Sequence, residues 1–429
     1  MRTQLKVRVF QLFLIIIICV GIGYILGNYK ISAKWKNYKP IIGFSNQNPP
    51  NSQNIDMHLF YDVIGKLNTM YYDKSKIDAK KMVNGAISGM VASLGDPYTS
   101  FFPPVANTAF KTQMAGEFSG IGAELSLNDQ NQIIVMAPLD SSPAEKAGVI
   151  SGDIIAKVDG ANTAGWTLGQ AVEKIRGHKG TKVKIAVLHP KEKELRELTI
   201  TRDTIQVKSV TSWIKQFDCS NGACVPTTGC ANCATVGYIR ISQFGDKTNA
   251  EWLEAVNKMM PQIKSAKNFK GLVLDVRNNP GGYLNDAVYI ASEFLKSGAV
   301  VKQQDGNGLI ESMDVNRTGV LLDIPLVVLM NKGSASASEI VSGALQDYGR
   351  AKLIGEQSFG KGTIQQAVDL DGGGSIHISI GKWLTPKERW IHGKGLTPDI
   401  SVVYDASASS KLKEVPDNQI IRAVTELTK

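Results

Sequence analysis

Three serines at alternate positions and a lysine between two glycines are the residues best suited to chemistry in this sequence. The serines lie in Gly333–Ser338 (GSASAS), and the lysine, Lys361, lies in the run FGKG. A serine hydroxyl becomes a strong nucleophile when a base takes its proton, and a desolvated, neutral lysine amine can be that base. Glycines on both sides of Lys361 let other backbone come close and exclude water. The two segments predict a hydrolase site that uses lysine in place of histidine.

The serines lie in a turn between a predicted buried strand, Pro325–Met330, and a predicted helix, Glu339–Tyr348. At a helix start the free N–H groups and the helix dipole can stabilise an oxyanion, and nucleophile elbows use the same arrangement. Ser336 lies at the turn itself and is the favoured nucleophile, with the N–H of Ala337 beside it. Ser334 lies nearer the strand, and Ser338 lies at a position suited to an N-cap. The alternative is that all three are ordinary turn and cap residues.

The run TIQQAVDL after Lys361 is predicted to be a strand, so Gln365 shares a face with the lysine and can orient its amine. A nucleotide loop is the competing interpretation, because Gly355 to Lys361 match G-x-x-x-x-G-K. However, Gly362 follows where such a loop needs serine or threonine to hold Mg²⁺, and a strand follows where it needs a helix. The nucleotide loop is therefore disfavoured.

A second glycine turn, DVRNNPGG, follows the predicted buried strand GLVLDV and ends at Gly281 and Gly282. Such a turn exposes N–H groups at the crevice where α/β proteins bind ligands. Either glycine could supply a second oxyanion donor beside Ala337, and the sequence leaves the choice open. The alternative is a plain connecting turn.

A module of about 90 residues precedes these segments, and its motifs resemble a PDZ domain. They are a Gly-Ile-Gly loop, the run SPAEKAGVISGDIIAKVDG and the helix TLGQAVEKIRG. Uncovered N–H groups in a glycine loop bind anions, and in PDZ domains they hold the carboxylate of a peptide C-terminus. The residues predicted to bind peptide are Phe118, Ser119, Gly120, Ile121 and Gly122. Arg176, at the end of the helix, is predicted to cap it and to bridge to the hydrolase site as a regulatory residue.

The N-terminal run Val9–Gly27 is almost wholly apolar. It is about long enough to cross a bilayer core of roughly 30 Å. Basic residues precede it as in a signal sequence, but no small-x-small cleavage site follows at once. The run predicts an uncleaved, single-pass membrane anchor over a cleaved signal peptide. Lysines on both sides leave its orientation open.

Composition excludes several other classes. The net charge of +9 is modest for 429 residues, and part of it flanks the apolar run, which favours membrane contact over nucleic-acid binding. Only five histidines occur, and none has the H-E-x-x-H spacing of zinc hydrolases. We therefore expect no nucleic-acid partner and no catalytic metal.

Taken together, GSASASEI, ALQDYGRA, FGKGTIQ, DVRNNPGG and LGDPYTS, with the PDZ-like module, resemble the C-terminal processing (tail-specific) peptidases. The resemblance covers the chain from about Asn54 onward. It implies a cofactor-free serine endopeptidase that acts outside the cytoplasm on protein or peptide substrates with free C-termini. The implied roles are nucleophile for Ser336, general base for Lys361, lysine-orienting residue for Gln365, and oxyanion donors for Ala337 with Gly281 or Gly282. The competing hypothesis is a catalytically inactive PDZ scaffold; a homo-oligomer is compatible with either.

The predicted fold is an α/β protease core with a helical N-terminal unit, an inserted α+β PDZ-like domain and an N-terminal transmembrane helix. Apolar strands alternate with helices from Val236 onward, which indicates a sheet covered on both faces. The predicted boundaries are 1–28 for the cytoplasmic tip and membrane anchor, 29–53 for a linker, 54–115 for the helical unit, 116–205 for the PDZ-like domain, and 206–429 for the protease core with a cysteine insert at 217–235.

That insert carries Cys219, Cys224, Cys230 and Cys233, which the resembled family does not usually have. So short a polar loop cannot fold by burial alone and needs a staple. Outside the cytoplasm cysteines are expected to pair, and four allow three connectivities. The Cys230-x-x-Cys233 spacing with a pair upstream also suits a tetrahedral zinc site. Disulfides are favoured, and zinc is the alternative.

Overall fold

The structure is a computed structural model. The structure describes residues 15–20, 30–36, 39–45, 57–128, 130–139, 142–150, 152–190, 192–220, 224–230, 232–405 and 417–429. The chain divides into two compact units, Met1–Val83 and Asn84–Lys429.

The first unit contains an antiparallel hairpin and an exposed helix. Strand β1 (Lys30–Lys36) pairs with β2 (Lys39–Ser45), and helix α1 (His58–Met70) is followed by a 3₁₀ turn at Lys74–Lys76. The hairpin lies where the sequence was expected to form a linker. Apolar and polar residues alternate in the first strand, KISAKWK, and this pattern favours a strand over a flexible tether.

The predicted membrane anchor is described only in part. Residues 15–20 are helical, and the rest of segment 1–28 lies outside the described residues. Within the ranges given above, no helix combines the length and the apolar character needed to span a bilayer. The anchor therefore stays a prediction.

The remaining elements alternate along the chain. The helices are α2 (Ala79–Ala92), α3 (Pro104–Met114), α4 (Pro143–Lys146), α5 (Leu168–Ile175), α6 (Thr248–Ser265), α7 (Leu284–Ala291), α8 (Ala337–Asp347) and α9 (Asn418–Leu427). The strands are β3 (Ser100–Phe102), β4 (Glu117–Gly120), β5 (Ala123–Leu127), β6 (Ile133–Pro138), β7 (Ile154–Val158), β8 (Ala161–Asn162), β9 (Lys182–Leu188), β10 (Leu195–Thr201), β11 (Asp203–Gln206), β12 (Val210–Asp218), β13 (Val225–Thr227), β14 (Ala234–Ile241), β15 (Phe269–Asp275), β16 (Ala299–Asp305), β17 (Ile310–Asp314), β18 (Leu326–Met330), β19 (Lys352–Gly355), β20 (Thr363–Asp369), β21 (Ser375–Leu384) and β22 (Ile400–Ser401).

The PDZ-like module is an α+β domain within the second unit. Its sheet has the order β10-β9-β7-β6-β5, with β8 beside β7, and it shares a separate apolar core with α4 and α5. The hydroxyl of Ser142 caps α4 by accepting a hydrogen bond from the N–H of Glu145. The chain enters the PDZ-like module through β4 and leaves it through β11, and these two strands pair antiparallel. Just outside that pair, the N–H of Val207 donates to the carbonyl of Gly116 at 3.0 Å.

The α/β core is built on a sheet with the order β13-β12-β14-β15-β18-β19-β22. Strands β14, β15, β18, β19 and β22 are parallel, and β12 is antiparallel to β14. Helices α6, α7 and α8 pack on one face around Trp252, and α9 packs on the other face around Phe217. The predicted sheet with two covered faces is therefore present. A second sheet, β17-β16-β21-β20 with β3 beside β21, adjoins the same core.

Charged groups hold the start of α9. Asp417 accepts hydrogen bonds from the N–H groups of Gln419 and Ile420, and its second oxygen accepts one from Arg277 at 2.9 Å. Arg277 lies in the glycine turn after β15, and it also binds the buried carboxylate of Asp275. Helix α9 is thus tied directly to the glycine turn.

The cysteine insert forms two disulfides, Cys219–Cys224 and Cys230–Cys233. Cys224 is buried, and the hydroxyl of Thr425 on α9 lies 3.7 Å from its sulfur. These pairs agree with the disulfide interpretation. A sulfur in a disulfide is not a thiolate, so none of the four is left to bind zinc. Among the residues that the structure describes, no group of three or more His, Cys, Asp and Glu side chains could hold a metal ion.

Replacing both Cys219 and Cys224 by serine should lower the free energy of unfolding by about 2 kcal/mol, because the short loop is no longer closed covalently. Denaturant unfolding of the full chain in detergent measures the change. Cys19→Ser is the control, because Cys19 is exposed and unpaired in the described part of the chain. Equal midpoints for the double variant and the wild type would refute a stabilising role for this disulfide.

Candidate active site

Ser336 occupies a strained turn between β18 and α8. It is the N-cap residue of α8, with φ of 54° and ψ of −117°. A non-glycine residue in so rarely populated a region costs about 1–3 kcal/mol and persists where its surroundings hold it. The turn has the strand-to-helix form of a nucleophile elbow. Ser338, which the sequence suggested as the N-cap, lies inside the helix.

The other two serines are fixed by backbone carbonyls. Ser334 is 1% exposed, and its hydroxyl donates to the carbonyl of Val276 at 2.8 Å. Ser338 is fully buried, and its hydroxyl donates to the carbonyl of Ala335 at 2.8 Å. Ser336 is half-buried and lines a cleft of about 580 Å³. The turn therefore presents Ser336 to the cleft and holds its neighbours inside the protein.

The glycine turn lies directly against Ser336. A Cβ atom at Gly281 would lie 2.7 Å from the Cβ of Ser336 and 2.9 Å from the backbone nitrogen of Ala337, so any larger residue would clash. The N–H of Gly281 donates to Oδ1 of Asn279 at 2.8 Å. Because that N–H already has an acceptor, Gly282 is the stronger candidate for the second oxyanion donor.

The glycines beside Lys361 allow the close approach that the sequence predicts. A Cβ at Gly360 would lie 2.7 Å from the backbone nitrogen of Gly395, and one at Gly362 would lie 2.9 Å from the Cβ of His392. The indole N–H of Trp383 donates to the carbonyl of Lys361 at 2.8 Å. Packed backbone and an aromatic ring therefore fix the segment that carries the lysine.

The amine of Lys361 is partly withdrawn from water. Its nitrogen lies 5.3 Å from the ring centroid of Tyr98, and the side chain lines the same cleft as Ser336. Burial lowers the pKa of Lys361 below its usual value, and the carboxylates of Glu339 and Asp96 partly oppose that shift. A lower pKa makes more of the neutral amine available, which is the form that can accept a proton.

Glu339 joins the serine turn to the lysine segment. Its fully buried carboxylate accepts hydrogen bonds from the N–H of Ser336 at 2.8 Å and the N–H of Lys361 at 3.0 Å. It also accepts from the hydroxyl of Ser358 at 2.6 Å and the N–H of Gly360 at 2.7 Å. Burial raises the pKa of Glu339, while these hydrogen bonds oppose the rise by stabilising the anion. One side chain thus sets the distance between two segments that meet only in the fold.

Glu339 is not among the site residues that the sequence predicts. A local signal was present, because Ser336-x-x-Glu339 matches the capping-box pattern at a helix start. That pattern explains the hydrogen bond to Ser336. The three bonds to residues 358–361 depend on tertiary packing and have no such signal.

Gln365 lies in the cleft, but its hydrogen bonds are not those expected. Its amide nitrogen donates to the hydroxyls of Thr363 at 2.8 Å and Ser379 at 3.2 Å. Gln365 and Lys361 both line the cleft. An orienting role therefore requires the amide of Gln365 to turn toward the lysine.

The PDZ-like module has a groove of about 390 Å³ formed by the predicted loop, Phe118 to Gly122, and the end of α5. A Cβ at Gly122 would lie 2.5 Å from the Cβ of Ser142, so this position requires glycine. The guanidinium of Arg176 lies 4.9 Å from the ring centroid of Phe118. The structure thus places Arg176 in the groove, and its link to the protease site stays a prediction.

An α/β core with a serine at a strand-to-helix turn, a half-buried lysine in the same cleft and an inserted PDZ-like module define a PDZ-containing serine peptidase. Comparison with known proteins agrees. The model of Peptidase family S41 matches residues 235–402, the PDZ domain model matches 134–188, and the model of the activating protease CtpB N-terminal domain matches 16–103.

Relatives that match most of the chain identify the family. The carboxy-terminal-processing protease of Bartonella bacilliformis is 36% identical over 359 residues, which cover 82% of this chain and 76% of that protein. The carboxy-terminal processing protease CtpB of Bacillus subtilis is 36% identical over 347 residues, which cover 79% of this chain and 67% of that protein. The solved photosystem II D1 C-terminal processing protease is 29% identical, with a TM-score of 0.51 and coverage of 86% of this chain and 96% of that one. The chain belongs to the carboxy-terminal-processing serine proteases.

Glu339→Gln should reduce kcat/KM about 100-fold, because a neutral amide cannot accept all four hydrogen bonds and the two segments separate. Glu356→Gln is the matched control, since Glu356 forms an ion pair at 3.9 Å with the exposed Lys332 and its substitution should change kcat/KM little. Peptide hydrolysis is measured for both variants, with circular dichroism to confirm folding. A folded Glu339→Gln enzyme with wild-type kcat/KM would contradict this role.

Proposed function

We propose that this protease is a membrane-anchored, extracytoplasmic endopeptidase that binds protein C-terminal tails through its PDZ domain and cleaves peptide bonds with a Ser336–Lys361 dyad. The observation that carries the proposal is the shared cleft. Ser336 faces it from a strained helix start, Lys361 enters it with a lowered pKa, and Glu339 holds both backbones.

In the proposed reaction, the neutral amine of Lys361 takes the proton from Oγ of Ser336 as Oγ bonds to the carbonyl carbon of the substrate. The N–H of Ala337, with Gly282 or Gly281, stabilises the oxyanion. When the peptide bond breaks, the leaving nitrogen receives the proton from the lysine and an acyl-serine remains. Water then gives its proton to the lysine and attacks the ester, and Ser336 recovers its proton as the product acid leaves.

The competing proposal is an inactive scaffold that binds tails through the PDZ domain alone. The buried arrangement around Glu339 argues against it, because it holds the serine turn and the lysine segment together. A pure scaffold has no need of a strained serine at a cleft.

The apolar run at the N-terminus supports attachment to a membrane, and the disulfides support an oxidising compartment outside the cytoplasm. Self-association is supported by α1, where Leu59 and Met70 are 71% and 77% exposed. With the exposed Val63 and Leu67 they form one apolar face of the helix, and a contiguous exposed apolar face is typical of protein–protein contacts.

Ser336→Ala and Lys361→Ala should each abolish casein cleavage, and the double variant should be little worse, because the two residues act as one unit. Lys361→Arg should also fail, because arginine stays charged and cannot accept the proton. A fluorophosphonate probe should label the wild type and not Ser336→Ala. Substantial cleavage by Ser336→Ala would return Ser334 and Ser338 as candidates.

The pH profile gives an independent check of the base. Activity requires a neutral lysine, so kcat/KM should rise with pH through the lowered pKa of Lys361 and should do so below about 10.5, the usual lysine value. A rising limb at the ordinary lysine pKa would contradict the role of burial at this site.

The PDZ groove should prefer peptides with a free C-terminus over the same peptides with a C-terminal amide. The N–H groups of the glycine loop recognise the carboxylate charge, which the amide lacks. Isothermal titration with Ser336→Ala, which cannot consume the peptide, measures both affinities. Equal affinity would refute carboxylate recognition.

Arg176→Ala tests regulation separately. If the peptide stimulates proteolysis by this variant as it does in the wild type, Arg176 has no regulatory role and only contributes to the groove and to the end of the helix.

A further inference from the structure

His377 lies in the catalytic cleft and has no part in the dyad chemistry. It is half-buried on β21, and it lines the same cleft as Ser336 and Lys361. In the sheet it pairs with Ala367 on β20 and with Ser100 on β3. This pairing places the ring on the cleft side of the sheet, on the face that also carries Gln365 and Ala367.

Two phenylalanines hold the imidazole ring. The ring centroid of Phe102 on β3 lies 4.4 Å away, and that of Phe110 on α3 lies 4.7 Å away in an edge-to-face arrangement. Both phenylalanines are half-buried and line the cleft. Three elements therefore combine to form an aromatic wall, made of Phe102, Phe110 and His377. Partly exposed rings in a cleft can bind the side chain of a ligand.

The charges around this wall are few. Lys361 lines the same cleft, its charge disfavours the protonated form of His377, and Asp369 on β20 is the nearby acid. Asp369 is paired with Lys111 of α3 at 2.8 Å. The side chains that line the cleft in the described chain include Lys361 and His377 but no aspartate or glutamate. A basic substrate side chain would find no counter-ion there, whereas an acidic one would meet the imidazolium once His377 gains a proton.

We propose that His377 is a specificity-determining residue of this protease. With Phe102 and Phe110 it forms a subsite that takes an apolar or planar substrate side chain while the imidazole is neutral, and that accepts an acidic side chain once the imidazole is protonated. The proposal rests on the proposed function, in which Ser336 cleaves the substrate. It concerns which substrate side chain binds beside the scissile bond.

The titration of His377 fixes the pH range of this change. Burial lowers the pKa of His377 below its usual value, the charge of Lys361 lowers it further, and Asp369 partly opposes both. The imidazole is therefore neutral at neutral pH and becomes charged in the acid range, below about 6.5. Acceptance of glutamate should increase only there.

Paired peptides test the proposal. Internally quenched peptides that differ only by Gln or Glu at each position flanking the scissile bond are compared by kcat/KM from about pH 8 to about pH 5.5. The Glu/Gln ratio is the readout, because both peptides need the same Ser336 and Lys361. At one position, the wild-type ratio should rise about fivefold on acidification, as expected for a charge pair in partly hydrated surroundings. In His377→Phe the ratio should stay flat.

His178→Phe is the matched control, since His178 is an exposed histidine of the PDZ domain and its ratio should rise as in the wild type. A flat wild-type ratio at every position, or a ratio that still rises in His377→Phe, would overturn the proposal. If His377→Phe cleaves neither peptide, His377→Gln replaces it and is judged by the same two outcomes. Ser336→Ala is assayed alongside. If Ser336→Ala cleaves the peptides, the dyad is wrong. If Ser336→Ala is inactive and the wild-type Glu/Gln ratio is flat at every position, only the subsite is wrong.

Discussion

The carboxylate of Glu339 is the constraint on which the candidate active site depends. The serine turn and the lysine segment are distant in sequence, but the backbone N–H groups of Ser336 and Lys361 both donate to one oxygen, Oε2 of Glu339. A buried carboxylate is costly unless its lone pairs are satisfied, and here four donors satisfy them. The same bonds hold Ser336 in its strained conformation, so the cost of that turn is offset by the group that also places Lys361.

The sheet gives this arrangement its foundation. Strands β15 and β18 are parallel neighbours, so the glycine turn and the serine turn both leave the carboxyl edge of the sheet. Asn279 links the two turns, because its carbonyl accepts from the N–H of Ala335 and the hydroxyl of Ser338. Ser336 and its neighbouring N–H groups are therefore positioned by buried strands and backbone contacts, in addition to the carboxylate of Glu339.

Local sequence patterns predicted the parts of the site that depend on local geometry. Small residues between a strand and a helix indicated Ser336, and flanking glycines indicated a closely packed Lys361. Residues that depend on the meeting of distant segments were missed. Three of the four bonds of Glu339 come from residues 358–361, and His377 reaches the cleft through strand pairing.

Strand periodicity also has a limit that Gln365 illustrates. It placed Gln365 on the same face as Lys361, and both line the cleft, but it could not choose between the lysine amine and two nearby hydroxyls as hydrogen-bond partners. In the first unit, a polar, Asn-rich composition suggested a tether, and the alternation within KISAKWK was the better guide to the hairpin there. Composition describes a segment as a whole, whereas periodicity reports how its residues are arranged.

The PDZ domain leaves the protease core at Gly116 and returns at Val207, and these two residues are joined by a backbone hydrogen bond. An insertion whose ends lie side by side can be exchanged as a cassette without altering the path of the host chain. Natural recombination at this junction could give the same catalytic core a different inserted domain. For engineering, the junction is a place where the inserted domain can be changed separately from the catalytic core.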